Sequence, residues 1–168
     1  MSSLFDPTRL HDLPLQNRIV MAPLTRSRAD VMGVPKPFVR DYYAQRAGAG
    51  LIISEGTQTS FAGQGYARTP GIHTPEQVAA WKTVTDAVHA RGARMFMQFM
   101  HCGRIAHPLN RQVPDEPVAP SAVRPAGQMW TDQQQLQDYP TPRALETAEL
   151  PALIDEFVTA ARNAMQAG

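Results

Sequence analysis

The segment Arg18-Ile-Val-Met-Ala-Pro-Leu-Thr-Arg26 decides the fold of this chain. Residues 18–22 have the composition of a buried parallel strand, and Pro23 ends the strand because its ring fixes φ and it has no N–H to donate. Ligands bind at the carboxyl ends of strands in parallel α/β folds, so Thr25 is a candidate ligand contact. A simpler interpretation, a strand followed by a proline turn and nothing more, stays open on this segment alone.

The composition is that of a foldable chain without strong charge. At 168 residues and 43% hydrophobic content, it is long and apolar enough for one ordinary domain. Sixteen basic and fifteen acidic residues give a formal charge of +1, which argues against nucleic acid or a membrane surface as a partner. We therefore expect a small-molecule partner.

Cysteine and histidine usage sets further expectations. Cys102 is the only cysteine, and the N-terminus lacks the basic start and apolar run of a secretory signal, which together predict a cytoplasmic protein. No stretch approaches the roughly 18 to 20 apolar residues that cross a bilayer, so no membrane contact is expected. His101 and His107 lack the spacing of metal ligands, and we expect no metal.

The N-terminal residues predict a small antiparallel element. Two short apolar-containing stretches, residues 4–10 and 13–19, are separated by two polar residues, which is typical of a hairpin. Pro7 and Pro14 restrict this hairpin to an edge or cap position.

A first strand, helix and strand unit follows. After a loop rich in Gly and Pro, residues 38–47 predict a helix that Gly48 ends, and residues 51–55 predict a buried strand.

The same order repeats with a clear helix start. Thr74 is suited to the N-cap, Pro75 to the first helical position and Gln77 to the capping box. Apolar residues then recur at helical spacing until Gly92.

The rest of the chain is a strand, a long excursion and a helix. Residues 94–100 are nearly all apolar and predict one strand buried on both faces, in which the amide of Gln98 needs a partner. Residues 103–148 predict a long loop with a short hairpin near residues 129–136, and loops this long usually carry function. Residues 149–167 predict a final helix with one apolar face.

Alternating strands and helices predict a parallel α/β architecture. Three main strands alone leave a long sheet edge unpaired. We therefore expect residues 1–168 to be the N-terminal part of one larger barrel or sheet domain, truncated before its fourth strand.

Polar residues follow each of the three strands: Thr25 after the first, residues 55–58 after the second, and Gln98 with residues 101–104 at the third. Neighbouring parallel strands place these groups at one mouth. Hydroxyl, amide and glycine backbone form a neutral set of donors and acceptors, which suits a flat heterocycle with alternating carbonyl and N–H groups. No glycine-rich phosphate-binding pattern is complete.

Six blocks of sequence carry a family resemblance over essentially the whole chain. They are residues 21–29, 42–47, 50–58, 71–77, 98–107 and 139–145. In this order they resemble the old yellow enzyme family of FMN-dependent ene reductases, the NADH:flavin oxidoreductase barrels.

The resemblance implies the N-terminal portion of a (β/α)8 TIM barrel, with the short hairpin as a cap and FMN in the mouth. Pro23 and Leu24 would lie against the flavin ring, and Thr25 would hydrogen-bond the carbonyl beside the reactive nitrogen and tune the flavin. Gly56 would contribute backbone, and Gln98 would contact the pyrimidine edge.

The resemblance also implies the chemistry. NADPH or NADH would reduce the flavin, which would then pass hydride to the β-carbon of an activated alkene, with a homo-oligomer possible in the full-length protein. Two alternatives stay open. One is a family relative with a different flavin reaction, and the other is a flavin-binding or assembly half-barrel module with no activity of its own.

One position departs from the family. Met100 stands where members often carry Trp near the substrate, so the pocket is shaped by a flexible thioether. Tyr66 and His101 are further candidates for the substrate side. The proton donor, the substrate-orienting His and Asn and the FMN phosphate site are expected beyond residue 168, which would leave this part inactive alone.

Overall fold

A computed structural model describes residues 3–113 and 116–168 as a mixed α/β fold. The strands of this described part are β1 (Thr8–Leu10), β2 (Leu13–Leu15), β3 (Val20–Met21), β4 (Leu51–Ile53), β5 (Thr57–Gln58), β6 (Arg94–Phe96), β7 (Phe99–Met100), β8 (Val118–Ala119), β9 (Gln128–Trp130), β10 (Leu136–Asp138) and β11 (Arg143–Ala144). The α-helices are α1 (Pro37–Ala44), α2 (Pro75–His89) and α3 (Leu150–Gln166), and 3₁₀ turns cover Pro108–Asn110 and Thr147–Glu149.

The predicted N-terminal hairpin is confirmed. Strands β1 and β2 pair antiparallel, with Thr8 opposite Leu15 and Arg9 opposite Pro14. They form a separate two-stranded sheet, so the missing N–H of Pro14 interrupts no larger ladder.

A three-stranded parallel sheet in the order β3-β4-β6 lies at the centre of the fold. Met21 pairs with Ile52, and Ile52 pairs with Met95. The helices bury one face of this sheet through a cluster made by Val39, Tyr43, Ala47, Ile52, Ile72, Trp81, Val84, Val88, Ala93, Ala160 and Ala167. The predicted parallel α/β architecture is therefore confirmed.

Burial on both faces, predicted for the first and third strands, is wrong. Val20 in β3 is 48% exposed and Phe96 in β6 is 45% exposed, whereas Ile52 in β4 is fully buried. The reason is position, because β3 and β6 are the two edges of the described sheet and only β4 has a neighbour on each side.

Residues 94–100 form two short strands rather than the single strand predicted. The backbone N–H of Gln98 donates to the Ser54 hydroxyl at 3.1 Å, and its carbonyl accepts from the Thr57 N–H at 2.9 Å. These bonds interrupt the ladder between β6, which pairs with β4, and β7, which pairs with β5. The Gln98 side chain is consequently exposed, not buried as expected.

Helix α1 ends at Ala44, three residues before its predicted end. The side-chain amides of Gln16 and Asn17 donate to the carbonyls of residues 47–49 at 2.7 to 2.9 Å. These long-range bonds hold the chain in turns, which a helical pattern within residues 38–47 does not reveal.

The predicted capping box of α2 is confirmed. The Thr74 hydroxyl accepts from the Gln77 N–H at 3.3 Å, and the Gln77 side chain accepts from the Thr74 N–H at 3.1 Å. Trp81 lies fully buried on the inner face of α2 and donates to the Gly71 carbonyl at 3.0 Å.

The excursion contains the predicted short hairpin, formed by β9 and β10 with Met129 opposite Gln137. Asn110 ties it to the body of the fold, because its amide donates to the carbonyls of Gly65 and Trp130. A parallel pair of β8 and β11, which the sequence did not predict, closes the excursion before α3.

The predicted final helix is α3, and most of its apolar face is exposed. Ala160 is its one buried residue, whereas Ile154 is 61% exposed.

Candidate active site

The three loops that leave the parallel sheet lie at one edge. Strands β3, β4 and β6 run in the same direction as hydrogen-bonded neighbours, so their carboxyl ends meet there. Residues 22–26, 54–58 and 97–101 follow these ends directly. Thr25, Gly56 and Gln98 therefore stand on the same side of the sheet, which we call the mouth.

Glu55 anchors the loop that carries Thr25. The backbone N–H of Arg26 donates to the Glu55 carboxylate at 2.9 Å. Beneath it, the Glu55 N–H donates to the Tyr43 hydroxyl at 2.9 Å, and that hydroxyl lies 3.5 Å from the carboxylate. We call Tyr43, Glu55 and the Arg26 N–H the support network, because it joins α1, the end of β4 and the loop after β3.

Burial dominates the electrostatics of the support network. Desolvation raises the pKa of the Glu55 carboxyl, while the N–H bond and positive charge of Arg26 oppose the rise. Desolvation and then the charge of Glu55 raise the pKa of the Tyr43 hydroxyl, which stays protonated as a donor.

The sequence identified Glu55 only as part of a polar segment and did not predict the role of Tyr43 in support. The position of Glu55 in the sequence could have indicated this role, because a carboxyl directly after a buried strand requires hydrogen-bond partners.

Groups at the rim of the mouth have the opposite character. Thr25, Leu24 and Gln98 are exposed, Leu24 by 52%, while Pro23 is half-buried. Among residues 3–113 and 116–168, nothing hydrogen-bonds the Thr25 hydroxyl or the Gln98 side-chain amide. Their donors and acceptors are thus available to a ligand.

Gly56 and Met100 meet in the mouth. Gly56 is buried, and a Cβ at this position would lie 2.8 Å from the Met100 Sδ atom. Only glycine fits without moving the thioether, so the backbone of residue 56 and the Met100 side chain form one continuous surface.

His101 is half-buried behind this surface. Its Nδ1 accepts from the Gly103 N–H at 3.2 Å, and its ring packs where a Cβ on Gly63 would come within 3.1 Å. Its buried Nε2 has no partner among the described residues. Desolvation lowers the pKa of His101, although the Glu156 charge opposes this, so the imidazole is neutral at pH 7.

Tyr66 lies beside the mouth on a separate cleft of about 550 Å³. The cleft also has Arg28, Lys36, Arg68 and Trp130 on its walls, and we call it the basic cleft. Tyr66 is 44% exposed, and burial followed by interactions with Cys102 and Tyr139 raises the pKa of its hydroxyl.

Other chemistry has less support in this structure. Burial raises the pKa of the Cys102 thiol, which disfavours the nucleophilic thiolate. Within the two described ranges, no group of three or more His, Cys, Asp or Glu side chains is placed to hold a metal ion. No described helix is both long and apolar enough to span a membrane.

Comparisons with known proteins agree with this geometry. The profile of the NADH:flavin oxidoreductase / NADH oxidase family matches residues 3–168. The chain is 41% identical to 12-oxophytodienoate reductase 7 of Oryza sativa subsp. japonica, covering 98% of this chain and 42% of the relative. It is 44% identical to chanoclavine-I aldehyde reductase fgaOx3 of Penicillium roqueforti, covering 100% and 44%.

Two solved structures are similarly close. The old yellow enzyme homologue from Zymomonas mobilis superposes with a TM-score of 0.93 at 45% identity, covering 99% of this chain and 46% of that one. Morphinone reductase in complex with tetrahydroNAD gives a TM-score of 0.91 at 45% identity, covering 100% and 47%.

The solved neighbours are TIM barrels, and this chain, with its three-stranded parallel sheet, is a partial barrel of that kind. The chain belongs to the NADH:flavin oxidoreductase / NADH oxidase family, which includes the old yellow enzymes. It spans less than half the length of the relatives named here.

Proposed function

We propose that residues 1–168 are the N-terminal part of one FMN-binding barrel domain, and that the protein transfers hydride from NAD(P)H through FMN to an activated alkene. The observation that supports this most directly is the pair of free polar groups at the mouth. Thr25 and Gln98 are exposed, and their side chains have no hydrogen-bond partner in the part of the chain that the structure describes, at the edge where a parallel barrel binds its ligand.

The chemistry of the mouth fits a flavin. An isoalloxazine presents uncharged carbonyl and N–H groups at its edge and apolar faces, and the mouth offers a hydroxyl, an amide and the apolar surface of Pro23 and Leu24. Gly56 lets Met100 pack directly against the backbone of residue 56, because a Cβ there would lie 2.8 Å from the Met100 Sδ atom. When bound, FMN would supply the two-electron redox step, and the protein would bind, orient and tune it.

Each residue of the mouth has a proposed task. The Thr25 hydroxyl would donate a hydrogen bond to the flavin edge. This hydrogen bond would favour negative charge on the reduced ring. The side-chain amide of Gln98 would contact the pyrimidine edge. The Gln98 main chain is held in place by its N–H bond to the Ser54 hydroxyl. Met100 lines the side of the mouth on which the alkene would bind. Tyr66, on the wall of the neighbouring basic cleft, and the half-buried His101 behind Met100 are the further substrate-side residues of this proposal.

The test is reconstitution with FMN. We expect the intact protein, loaded with FMN and kept free of oxygen, to be yellow and to oxidise NADPH continuously only when a conjugated enone or nitroalkene is added. Failure of the intact protein to bind FMN would contradict the proposal, and flavin reduction without alkene turnover would favour a family relative with a different reaction.

A half-barrel module is the second candidate, favoured by exposed apolar surface. Val20, Phe96 and Ile154 expose 45 to 61% of their surface at the sheet edges and on α3. A 168-residue chain that is monodisperse in size-exclusion chromatography, melts cooperatively and retains FMN would support the module. Aggregation of the 168-residue chain would indicate that it needs the remaining strands of the barrel to fold. We further propose a cytoplasmic protein. For the whole protein, a monomer and a homo-oligomer both stay open.

A further inference from the structure

The basic cleft has three cations on its walls, Arg28, Lys36 and Arg68, and two carboxylates, Asp132 and Asp30, that interact with Arg68. Arg68 and Asp132 form a bidentate pair at 2.6 and 2.7 Å and cancel each other. Arg28 donates only to the carbonyls of Arg26 and Ser27, both at 3.2 Å, which fix the guanidinium without balancing its charge. Lys36 forms no ion pair within residues 3–113 and 116–168. Arg28 and Lys36 are therefore the two cations of the cleft that form no ion pair within the described residues, and both carboxylates act on Arg68.

Two aromatic side chains complete the walls. Tyr66 is 44% exposed and Trp130, on the β9–β10 hairpin, is 57% exposed. Aromatic faces stack readily on planar bases. A cleft of about 550 Å³ is within the size range of small-ligand sites. The combination suits a nucleoside that bears a phosphate.

The position of the cleft connects it to the mouth. Ser27 lines the cleft and is two residues from Thr25, which stands at the mouth. A dinucleotide whose nicotinamide enters the mouth can place its other end in the cleft.

We infer that the basic cleft binds the 2′-phosphate and adenosine end of NADPH. The identity of this ligand rests on the proposed function. The charge decides between the two reductants. A phosphomonoester carries about −1.5 to −2 charges at pH 7 and can pair with both the Arg28 guanidinium and the Lys36 ammonium, whereas NADH lacks this group. Arg28 and Lys36 therefore select NADPH over NADH.

The kinetic test uses the intact protein loaded with FMN. The double variant Arg28→Ala, Lys36→Ala is expected to raise KM for NADPH by about tenfold and KM for NADH by less than about twofold, with kcat unchanged. The matched control, Arg91→Ala with Arg162→Ala, removes two exposed charges just after α2 and on α3 that form no ion pair within the described residues, and leaves both KM values unchanged.

A binding test separates this inference from the proposed function, because it needs neither flavin nor turnover. Adenosine 2′,5′-bisphosphate should quench the fluorescence of Trp130, since Trp81 is fully buried, and the quench should be lost in Trp130→Phe. The Arg28, Lys36 double variant should weaken this binding by about tenfold, and 5′-AMP should bind more weakly than the bisphosphate.

The outcomes are distinct. Bisphosphate binding that depends on Arg28 and Lys36, in a protein that reduces no alkene, overturns the proposed function and retains the cleft as a nucleotide site. Equal affinity for the bisphosphate and 5′-AMP, or affinity indifferent to the double variant, overturns the cleft assignment even in an active ene reductase.

Discussion

The support network and the rim of the mouth are both polar, yet they differ in how their hydrogen bonds are used. Glu55 and Tyr43 are buried and bonded to each other and to the Arg26 backbone. Thr25 and Gln98, on the loops that leave the same edge of the sheet, are exposed and their side chains have no described partner. Buried, satisfied groups shape the site, whereas exposed, unsatisfied groups are the ones left to bind.

The largest expected effect comes from breaking the support network. Glu55→Ala removes the acceptor of the Arg26 N–H and leaves buried groups unpaired, so the free energy of unfolding should fall by about 2 to 3 kcal/mol. Urea denaturation measures this. Glu55→Gln keeps an acceptor oxygen and should lose about 1 kcal/mol or less. Equal losses in the two variants would show that the hydrogen bond to Arg26 is unimportant.

At the rim, Gln98→Ala should act on the ligand and not on the fold. We expect the Kd for FMN to rise by about tenfold, since one amide contact is lost. The unfolding midpoint should stay unchanged because the side chain is exposed. Fluorescence titration of FMN provides the measurement, with Gln45→Ala, another exposed glutamine, as control. A Gln98→Ala variant with a lower unfolding midpoint and normal FMN affinity would show that this residue supports the fold and does not bind the cofactor.

Thr25→Ala tests the tuning role. Flavin reduction by NADPH in stopped-flow experiments should slow by about fivefold, because the hydroxyl that favours the reduced ring is absent. Thr25→Ser retains the hydroxyl and should restore most of the rate. An alanine variant with a normal rate would remove Thr25 from the proposed mechanism.

The smallest expected effect is a pH dependence of stability from a buried group outside the mouth. Burial lowers the pKa of His73 to about 4, and its ring contacts Phe61 at 4.4 Å. The unfolded chain takes up this proton first, so stability is full above pH 6.5 and declines as pH falls towards 4. Because the ring is partly solvated, we expect about 1 kcal/mol. In His73→Phe, the urea midpoint should change less with pH between pH 6.5 and 4. An unchanged slope would show that other groups cause this pH dependence.

The sequence predicted the features that depend on neighbouring residues. The capping box of α2 is contained in Thr74 to Gln77, and the N-terminal hairpin lies within residues 8–15. The strand order and the shared mouth followed from the alternation of strands and helices.

Features that depend on distant residues escaped prediction. The break at Gln98 requires Ser54, 44 positions away, and the early end of α1 requires Gln16 and Asn17, about 30 positions away. Exposure of β3 and β6 follows from their edge positions, which apolar composition does not encode. The task of Tyr43 likewise emerges only when α1 packs beneath Glu55.

The interruption between β6 and β7 makes position 98 unusually replaceable. Ser54 and Thr57 hold its main chain through N–H and carbonyl, independently of what the side chain is. If Gln98 contacts FMN as proposed, substitutions there would change the group at the pyrimidine edge, and with it the reduction potential, while the scaffold keeps its shape.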